Sequence, residues 1–390
     1  MAFDFDKEID RRGTNCLKYD FALERGKHEG ILSFWVADMD FQTAPAIVQR
    51  LQETVAGGIY GYTDTKEDYY QAIANWYEKY FNWRPKSDWL IKTPGVVFAL
   101  AAAVRAYTQA GDQVLIQQPV YYPFKEVIQD NGREVVCAPL SLVDGHYEID
   151  YKELEEKLSD EKVKLFLLCS PHNPVGRVWK EEELKKIGDL CLKYDVITVS
   201  DEIHGDFTYP GYTHHVFASL GKKYEQNSII CTAPSKTFNI AGLQVSNIFI
   251  PNDSLRRKFQ LAVNQAGYSQ LNMLGLAACQ AAYEEGRQWL EELKIYLKTN
   301  LDFLRQYLQE NLPQVHLIEP EGTYLVWLDF RDLKLTEDEL EDLIVNKANL
   351  WLDTGAIFGK VGEGFERINI ACPKSLLKEA LDHLKAAIEE

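Results

Sequence analysis

Three short polar clusters follow apolar runs in this chain, and their residue types could do chemistry together. Lys236 stands in Thr232-Ala233-Pro234-Ser235-Lys236-Thr237-Phe238-Asn239, after the β-branched run Ser228-Ile229-Ile230-Cys231. Asp201 opens Asp201-Glu202-Ile203-His204 after Val196–Ser200, and Asn173 lies in Ser170-Pro171-His172-Asn173-Pro174-Val175-Gly176 after Lys164–Cys169. A lysine amine can attack a carbonyl carbon or take a proton. A carboxylate at a buried strand end is costly unless a cation faces it, and Asn173, flanked by two nearby prolines, has an amide poised to donate.

Two further segments extend the pattern. Thr93-Pro94-Gly95-Val96-Val97 is a glycine turn feeding an expected helix, whose N-terminal N–H groups suit a phosphate. Pro119-Val120-Tyr121-Tyr122-Pro123 places tyrosines where one could stack on a flat aromatic ring. The Ser235 hydroxyl could serve the same phosphate, and His204 could reach the ring that Asp201 faces. Singly, each residue has an ordinary use: Asp201 as an N-cap or ion pair, Asn173 as a turn residue, His204 as a hydrogen-bonded structural histidine. Jointly, a phosphate seat, a stacking ring, an amide, an acid and an amine are the set needed to carry pyridoxal 5′-phosphate (PLP) as a Schiff base on lysine.

The elements that must position these groups read as α/β. Strands are expected at Trp89–Lys92, Gln113–Gln117, Lys164–Cys169, Val196–Ser200, Ser228–Thr232 and Val245–Ile250. Most are continuous apolar runs, as in strands covered on both faces. Helical patterns at Val97–Gln109 and Glu181–Tyr194 lie between them, predicting a mostly parallel sheet. In such sheets ligands bind beyond the carboxyl ends of the strands, where the polar clusters fall. The last third differs. Glu285–Asn311 reads as one long helix ended by Pro313, Thr323–Phe330 as a strand, Thr336–Glu339 as a capping box and Ser375–Glu390 as a terminal amphipathic helix. A smaller α+β unit is expected there, with a boundary near residue 285.

Composition narrows the partners. The 390 residues suffice for two domains and a large core. A net charge of −17 argues against nucleic acid and against an anionic membrane surface. The seven scattered cysteines include no CxxC pair, which suits a reducing compartment. No apolar stretch is long enough to span a bilayer, and the acidic N-terminus lacks a signal core. A soluble cytoplasmic protein is expected. GxGxxG, P-loop and HExxH motifs are absent, which speaks against nucleotide and zinc chemistry.

With these residues in place, the chain resembles fold-type I PLP enzymes of the aspartate aminotransferase superfamily. Within them it is similar to the MalY/PatB group of cystathionine β-lyase-like, cystalysin-like C–S lyases. The resemblance rests on Phe34-Trp35-Val36-Ala37-Asp38-Met39-Asp40-Phe41, Tyr60-Gly61-Tyr62, Ser170–Gly176, Asp201–His204 and Ser235–Gln244, and spans nearly the whole chain. It implies an N-terminal segment 1–45 joining a small C-terminal domain 286–390, and a large PLP-binding domain 46–285. Lys236 would carry the cofactor, Asp201 would pair with its pyridine nitrogen, Asn173 with its O3′, and Tyr121 would stack on the ring. Gly95, Val96 and Ser235 would bind phosphate, joined by Tyr62 from a neighbouring subunit, which implies a homodimer with shared sites. Arg367, in Glu366-Arg367-Ile368-Asn369, would clamp the substrate carboxylate, with Ala37 and Tyr122 also facing the substrate.

Two positions depart from the broad aminotransferase pattern. Gln244 stands where many relatives place a phosphate-binding arginine, and His204 replaces a usual tyrosine. Both resemble the lyase group. The reaction implied is α,β-elimination from L-cystathionine, L-cysteine and related S-substituted cysteines, giving a thiol or hydrogen sulfide, pyruvate and ammonia. Lys236 would be the general base, and Lys236 or Tyr122 the group that protonates the departing sulfur. An aminotransferase of the same fold is the alternative, and a scaffold that binds a transcription factor a more distant one.

Overall fold

The computed structural model describes residues 2–268 and 270–390. Its centre is a seven-stranded sheet. In chain order the strands are β1 (Leu90–Thr93), β2 (Gln113–Ile116), β3 (Glu134–Cys137), β4 (Val163–Cys169), β5 (Ile197–Asp201), β6 (Ser228–Thr232) and β7 (Ser246–Phe249). They lie in the spatial order β1-β7-β6-β5-β4-β2-β3. β7 runs antiparallel to both its neighbours, and the other pairings are parallel. The mostly parallel expectation holds. Periodicity could not show the reversed strand, because a doubly covered strand reads the same in either direction.

Side-chain alternation explains why β4 is apolar from Leu165 to Cys169. Leu165, Leu167 and Cys169 enter one core cluster, with helix α1 (Val96–Tyr107), while Phe166 and Leu168 enter the other. A strand packed on both faces cannot place a polar residue on either without leaving it unpaired. Its polar positions are therefore pushed to its end. The register aligns those ends: Cys169 opposes Asp201, and Asp201 opposes Cys231. Asp201 is the last residue of β5, one step earlier than the sequence reading placed it.

A second sheet carries the C-terminal part. Its strands are β8 (His316–Ile318), β9 (Leu325–Asp329), β10 (Asp353–Thr354) and β11 (Phe365–Asn369), in the order β8-β9-β11-β10 and wholly antiparallel. Helices α2 (Arg287–Asn311) and α3 (Lys374–Glu389) accompany it. The capping box at Thr336 is present: its Oγ1 accepts from the Glu339 N–H at 3.3 Å, and the Glu339 carboxylate accepts from the Thr336 N–H at 2.8 Å. The long helix expected over Glu285–Asn311 is present as α2, beginning two residues later than expected. Met273–Glu285 ends at Gly286 and α2 begins at Arg287. A Cβ at Gly286 would sit 2.3 Å from the Phe238 ring, so the junction is set by close packing.

The N-terminal segment reaches across to this part. Leu32–Ser33 pairs in parallel with Leu350–Trp351, and Phe5 packs on Trp289 and Tyr296 of α2. Residues 36–41 are then gripped from three sides. Asn369 Nδ2 donates to the Val36 and Asp38 carbonyls at 2.7 and 2.6 Å. Asn239 Nδ2 donates to the Met39 and Phe41 carbonyls at 2.9 and 2.8 Å. Arg11 and the fully buried Lys18 bind Asp40 at 2.9 and 2.7 Å, and Arg11 also binds Asp38 at 2.6 Å. Among the described residues no helix is long and apolar enough to cross a membrane.

Candidate active site

A cavity of about 260 Å³ opens beyond the carboxyl ends of β4, β5 and β6. Ala37, Gly95, Val96, Tyr121, Asn173, Asp201, His204, Ser235 and Lys236 all line it. Nine of the residues singled out from sequence are therefore brought to one place. A larger cavity of about 440 Å³ lies between the Phe207–Tyr212 loop and α2, but it contains none of them.

Lys236 sits on a four-residue helical turn, Pro234–Thr237, rather than on an irregular loop. Thr237, next in the chain, anchors that turn by donating to the buried Asp206 carboxylate at 2.7 Å. The Lys236 Nζ donates to the Ala37 carbonyl at 2.9 Å. Burial pushes the amine down to about 8, opposed by the Asp38 charge and assisted by Arg367. It is thus a far better base near neutrality than an exposed lysine.

Asp201 shows the opposite shift. Its side chain is 5% exposed and accepts one backbone hydrogen bond, from Ile203 N–H at 3.1 Å. Burial raises it to about 7; the Ile203 bond opposes this, and the neighbouring Glu202 charge adds to it. Glu202 itself is satisfied by Ser200, His214 and the Phe217 N–H. Asp201 has no such set. His204 is held neutral, down to about 3, by burial and by the Lys236 and Arg367 charges, and its Nδ1 has no hydrogen-bond partner. A buried carboxylate short of donors and a lysine with lowered basicity face one cavity, a pattern typical of functional sites.

The glycine turn acts differently from the expectation in one respect. Gly95 has φ +134°, and a Cβ there would meet nothing within 4 Å, so glycine suits the backbone and leaves the cavity open. Its own N–H is taken by Ser246 Oγ at 3.1 Å. The donors left at the start of α1 are the N–H groups of Val96, Val97 and Phe98, since helical bonding begins with Ala99 N–H to Gly95 O. Ser235 Oγ lies near them with only a long 3.4 Å bond to the Val245 carbonyl. Val97 and Phe98 were not singled out from sequence, although the turn itself marked the helix start.

Arg367, Tyr122 and Tyr62 do not line the cavity. Arg367 lies just behind it on β11, 2% exposed, where Nη1 donates to Asn173 Oδ1 at 3.0 Å and Nη2 to the Trp35 carbonyl at 2.8 Å. It also pairs with Asp353 on β10, and its Nε has no partner. Because Arg367 takes Asn173 Oδ1, the Asn173 NH₂ is turned free for the cavity. Asp353 was missed; its only trace in the sequence is an acid directly after the apolar run Leu350–Leu352. Tyr324 was missed too, and its hydroxyl donates to the same Ala37 carbonyl at 3.0 Å. Tyr122 stands beside Tyr121 at 5.3 Å and beside Phe358 at 6.3 Å, centroid to centroid. Tyr62 is 98% exposed on this chain and borders a separate hollow with Tyr60, Tyr268 and Met273. Phe98, which lines the main cavity, touches Tyr268 at 5.8 Å. Among the described residues no cluster of side chains could hold a metal ion.

The chain is similar to known proteins over its full length. It is 42% identical to cystathionine beta-lyase PatB of Bacillus subtilis (strain 168), covering 98% of this chain and 99% of the relative. It superposes on cystalysin from Treponema denticola, a structure containing a pyridoxal 5′-phosphate cofactor, with TM-score 0.96 and 39% identity over 100% of this chain and 99% of the other. It superposes on a PLP-bound protein of Clostridium difficile 630, described as an aminotransferase, with TM-score 0.97 and 43% identity over 99% and 100%. The family model for aminotransferase class I and II matches residues 29–384, so the mostly parallel sheet with its lysine, acid and helix N-terminus is that of a family member: the chain belongs to aminotransferase class I and II.

Proposed function

We propose that this chain is a PLP-dependent carbon–sulfur β-lyase acting on L-cystathionine, L-cysteine and related S-substituted cysteines. One observation carries the reading. Asp201 is a buried, under-satisfied carboxylate in the same cavity as an amine lowered to about 8 and three unpaired helix N–H groups. A ring cation, an aldehyde and a phosphate on one molecule answer all three. The names of the relatives, cystathionine beta-lyase and cystalysin, support the reaction class.

When bound, PLP supplies an electron sink that makes the substrate Cα–H acidic and lets a thiolate depart from Cβ. Asp201 would hold a proton on the ring nitrogen, which would keep that sink strong. Val96, Val97 and Phe98 N–H and Ser235 Oγ bind the phosphate with the positive end of α1. Tyr121 would pack against the ring, and the Asn173 NH₂ would donate to its phenolic oxygen. Arg367 takes the substrate α-carboxylate with its planar fork, held in place by Asp353 and the Trp35 carbonyl. Lys236 Nζ removes the proton from Cα, and Lys236 or Tyr122 returns one to the departing sulfur. Tyr62 reaches the phosphate of a second copy in a homodimer, and its full exposure on a single chain suits that placement. Segments 1–45 and 286–390 form the part that carries Arg367, and 46–285 the part that binds PLP. The compartment is the cytoplasm.

The test is product analysis with purified protein and added PLP. Pyruvate and thiol from L-cystathionine without any keto-acid acceptor support the reading. Strict dependence on an acceptor favours transamination, the reaction named for the Clostridium difficile relative. Lys236→Ala should lower turnover by at least about a thousandfold and abolish reductive fixation of the cofactor to the chain.

A further inference from the structure

Arg25 is a charged side chain that the mechanism does not use. It closes the short helical turn Leu23–Arg25, and Gly26 at φ 72° ends the turn. Its neighbour Lys27 pairs with Glu341. The Arg25 guanidinium, by contrast, meets no carboxylate among the described residues. It lies over the Trp35 ring, 5.0 Å from the centroid, and is exposed to solvent. Trp35 is itself fixed, stacked on Trp351 at 4.4 Å and with its indole N–H donating to the Lys18 carbonyl at 3.3 Å.

Trp35 therefore joins two cations. Its backbone carbonyl accepts from Arg367, and its ring supports Arg25. Arg25 is also close enough to favour ionisation of the Tyr122 phenol, as Arg367 is. Phe358, which touches Tyr122, lies under the Arg367 guanidinium at 4.9 Å. Trp35, Tyr122 and Phe358 thus lie between the buried Arg367 and the exposed, unpaired Arg25. The buried arginine is already committed to one carboxylate. A second cation held on the other side of the same tryptophan suits a second anionic group on the same substrate.

We propose that Arg25 binds the distal carboxylate of thioether substrates whose departing thiol is itself an amino acid or a carboxylic acid. Substrates of this class carry one carboxylate beside the reacting Cα and one beyond the sulfur. Arg25 makes no contact with short thiols or simple S-alkyl groups. The inference rests on the β-lyase reading and refines it by naming which sulfur substrates the site favours.

The experiment compares holoenzyme and its Arg25→Met variant on L-cystathionine and on S-ethyl-L-cysteine, which keeps the thioether but lacks the second carboxylate. Met keeps much of the apolar stem over Trp35 while removing the charge. The expected result is about a tenfold fall in kcat/KM for cystathionine, carried by KM, with S-ethyl-L-cysteine unchanged. Arg25→Lys should recover part of the loss. Equal losses on both substrates, or no change on either, would overturn the proposal. Quenching of tryptophan fluorescence by the same two compounds gives their binding constants without turnover. If the wild-type protein bound both but turned over neither, the lyase reading would fall while the binding ratio still decided the role of Arg25.

Discussion

Replacing Asp201 with asparagine should stabilise the protein when PLP is removed. Burial lifts the carboxyl from an ordinary 3.8 to about 7, roughly three pH units against the charged form. At about 1.4 kcal/mol per unit this is on the order of 4 kcal/mol. The folded pKa lies above the unfolded one, so the folded chain binds the extra proton. Its stabilising share is therefore full below about pH 4 and is lost as the pH rises through about 7. At pH 8 the cofactor-free wild type holds a charge it cannot satisfy, and Asp201→Asn removes that charge while keeping an acceptor for Ile203. For a chain of 390 residues the unfolding entropy is about 0.8 kcal/mol/K, so the gain should appear as a Tm about 5 °C higher at pH 8. At pH 4 to 5 the two proteins should melt within about 1–2 °C of each other. Adding PLP should invert the order, stabilising wild type far more than the variant. Calorimetry of both proteins, with and without PLP, reads all four states. A cofactor-free variant no more stable than wild type at pH 8 would refute the idea that Asp201 is a strained group awaiting a cation.

Other outcomes follow from the same geometry. Because Lys236, once displaced by substrate, must be neutral to take a proton, kcat should climb as pH rises toward about 8 and level off above it; a flat kcat profile from about pH 6.5 to 9 would contradict its role as base. Asp353→Asn leaves the buried Arg367 guanidinium without its carboxylate, so stability should fall by about 3 kcal/mol and KM for the amino acid rise about tenfold; kinetics and denaturant titration check both. Tyr62→Phe should leave thermal stability of the chain within about 0.5 kcal/mol, since the residue touches so little. It should still weaken PLP retention about tenfold, measured by cofactor titration alongside sedimentation to determine whether the chain dimerises.

The parts of the site legible in sequence were those tied to strand ends. β4, β5 and β6 are buried runs, so the polar clusters at or just beyond their carboxyl ends mark the ligand edge, and Asn173, Asp201 and Lys236 were found that way. The glycine turn before α1 was legible because positive-φ backbone and a following alanine-rich run both leave marks. Residues that act through tertiary contact left none. Asp353 meets Arg367 across two short strands whose pairing cannot be read from either. The Ala37 carbonyl, which receives both Lys236 and Tyr324, is a backbone atom and has no residue type to betray it. Arg25 gains its meaning from Trp35, and nothing in Leu23-Glu24-Arg25 distinguishes it from surface charge. The need for glycine at the junction, position 286, was hidden because Phe238, whose ring a Cβ there would meet, lies far away in the chain.

The pairing of Leu32–Ser33 with Leu350–Trp351 also bears on how the protein is made. A ribosome-bound chain released only through β7 already owns the acid, the amide and the amine, yet it lacks the guanidinium that would seat an amino acid. Its first strand must wait, unpaired, for nearly the last segment to emerge. The lysine, acid and amide of the cavity are thus synthesised well before Arg367 and before the segment that pairs with Leu32–Ser33.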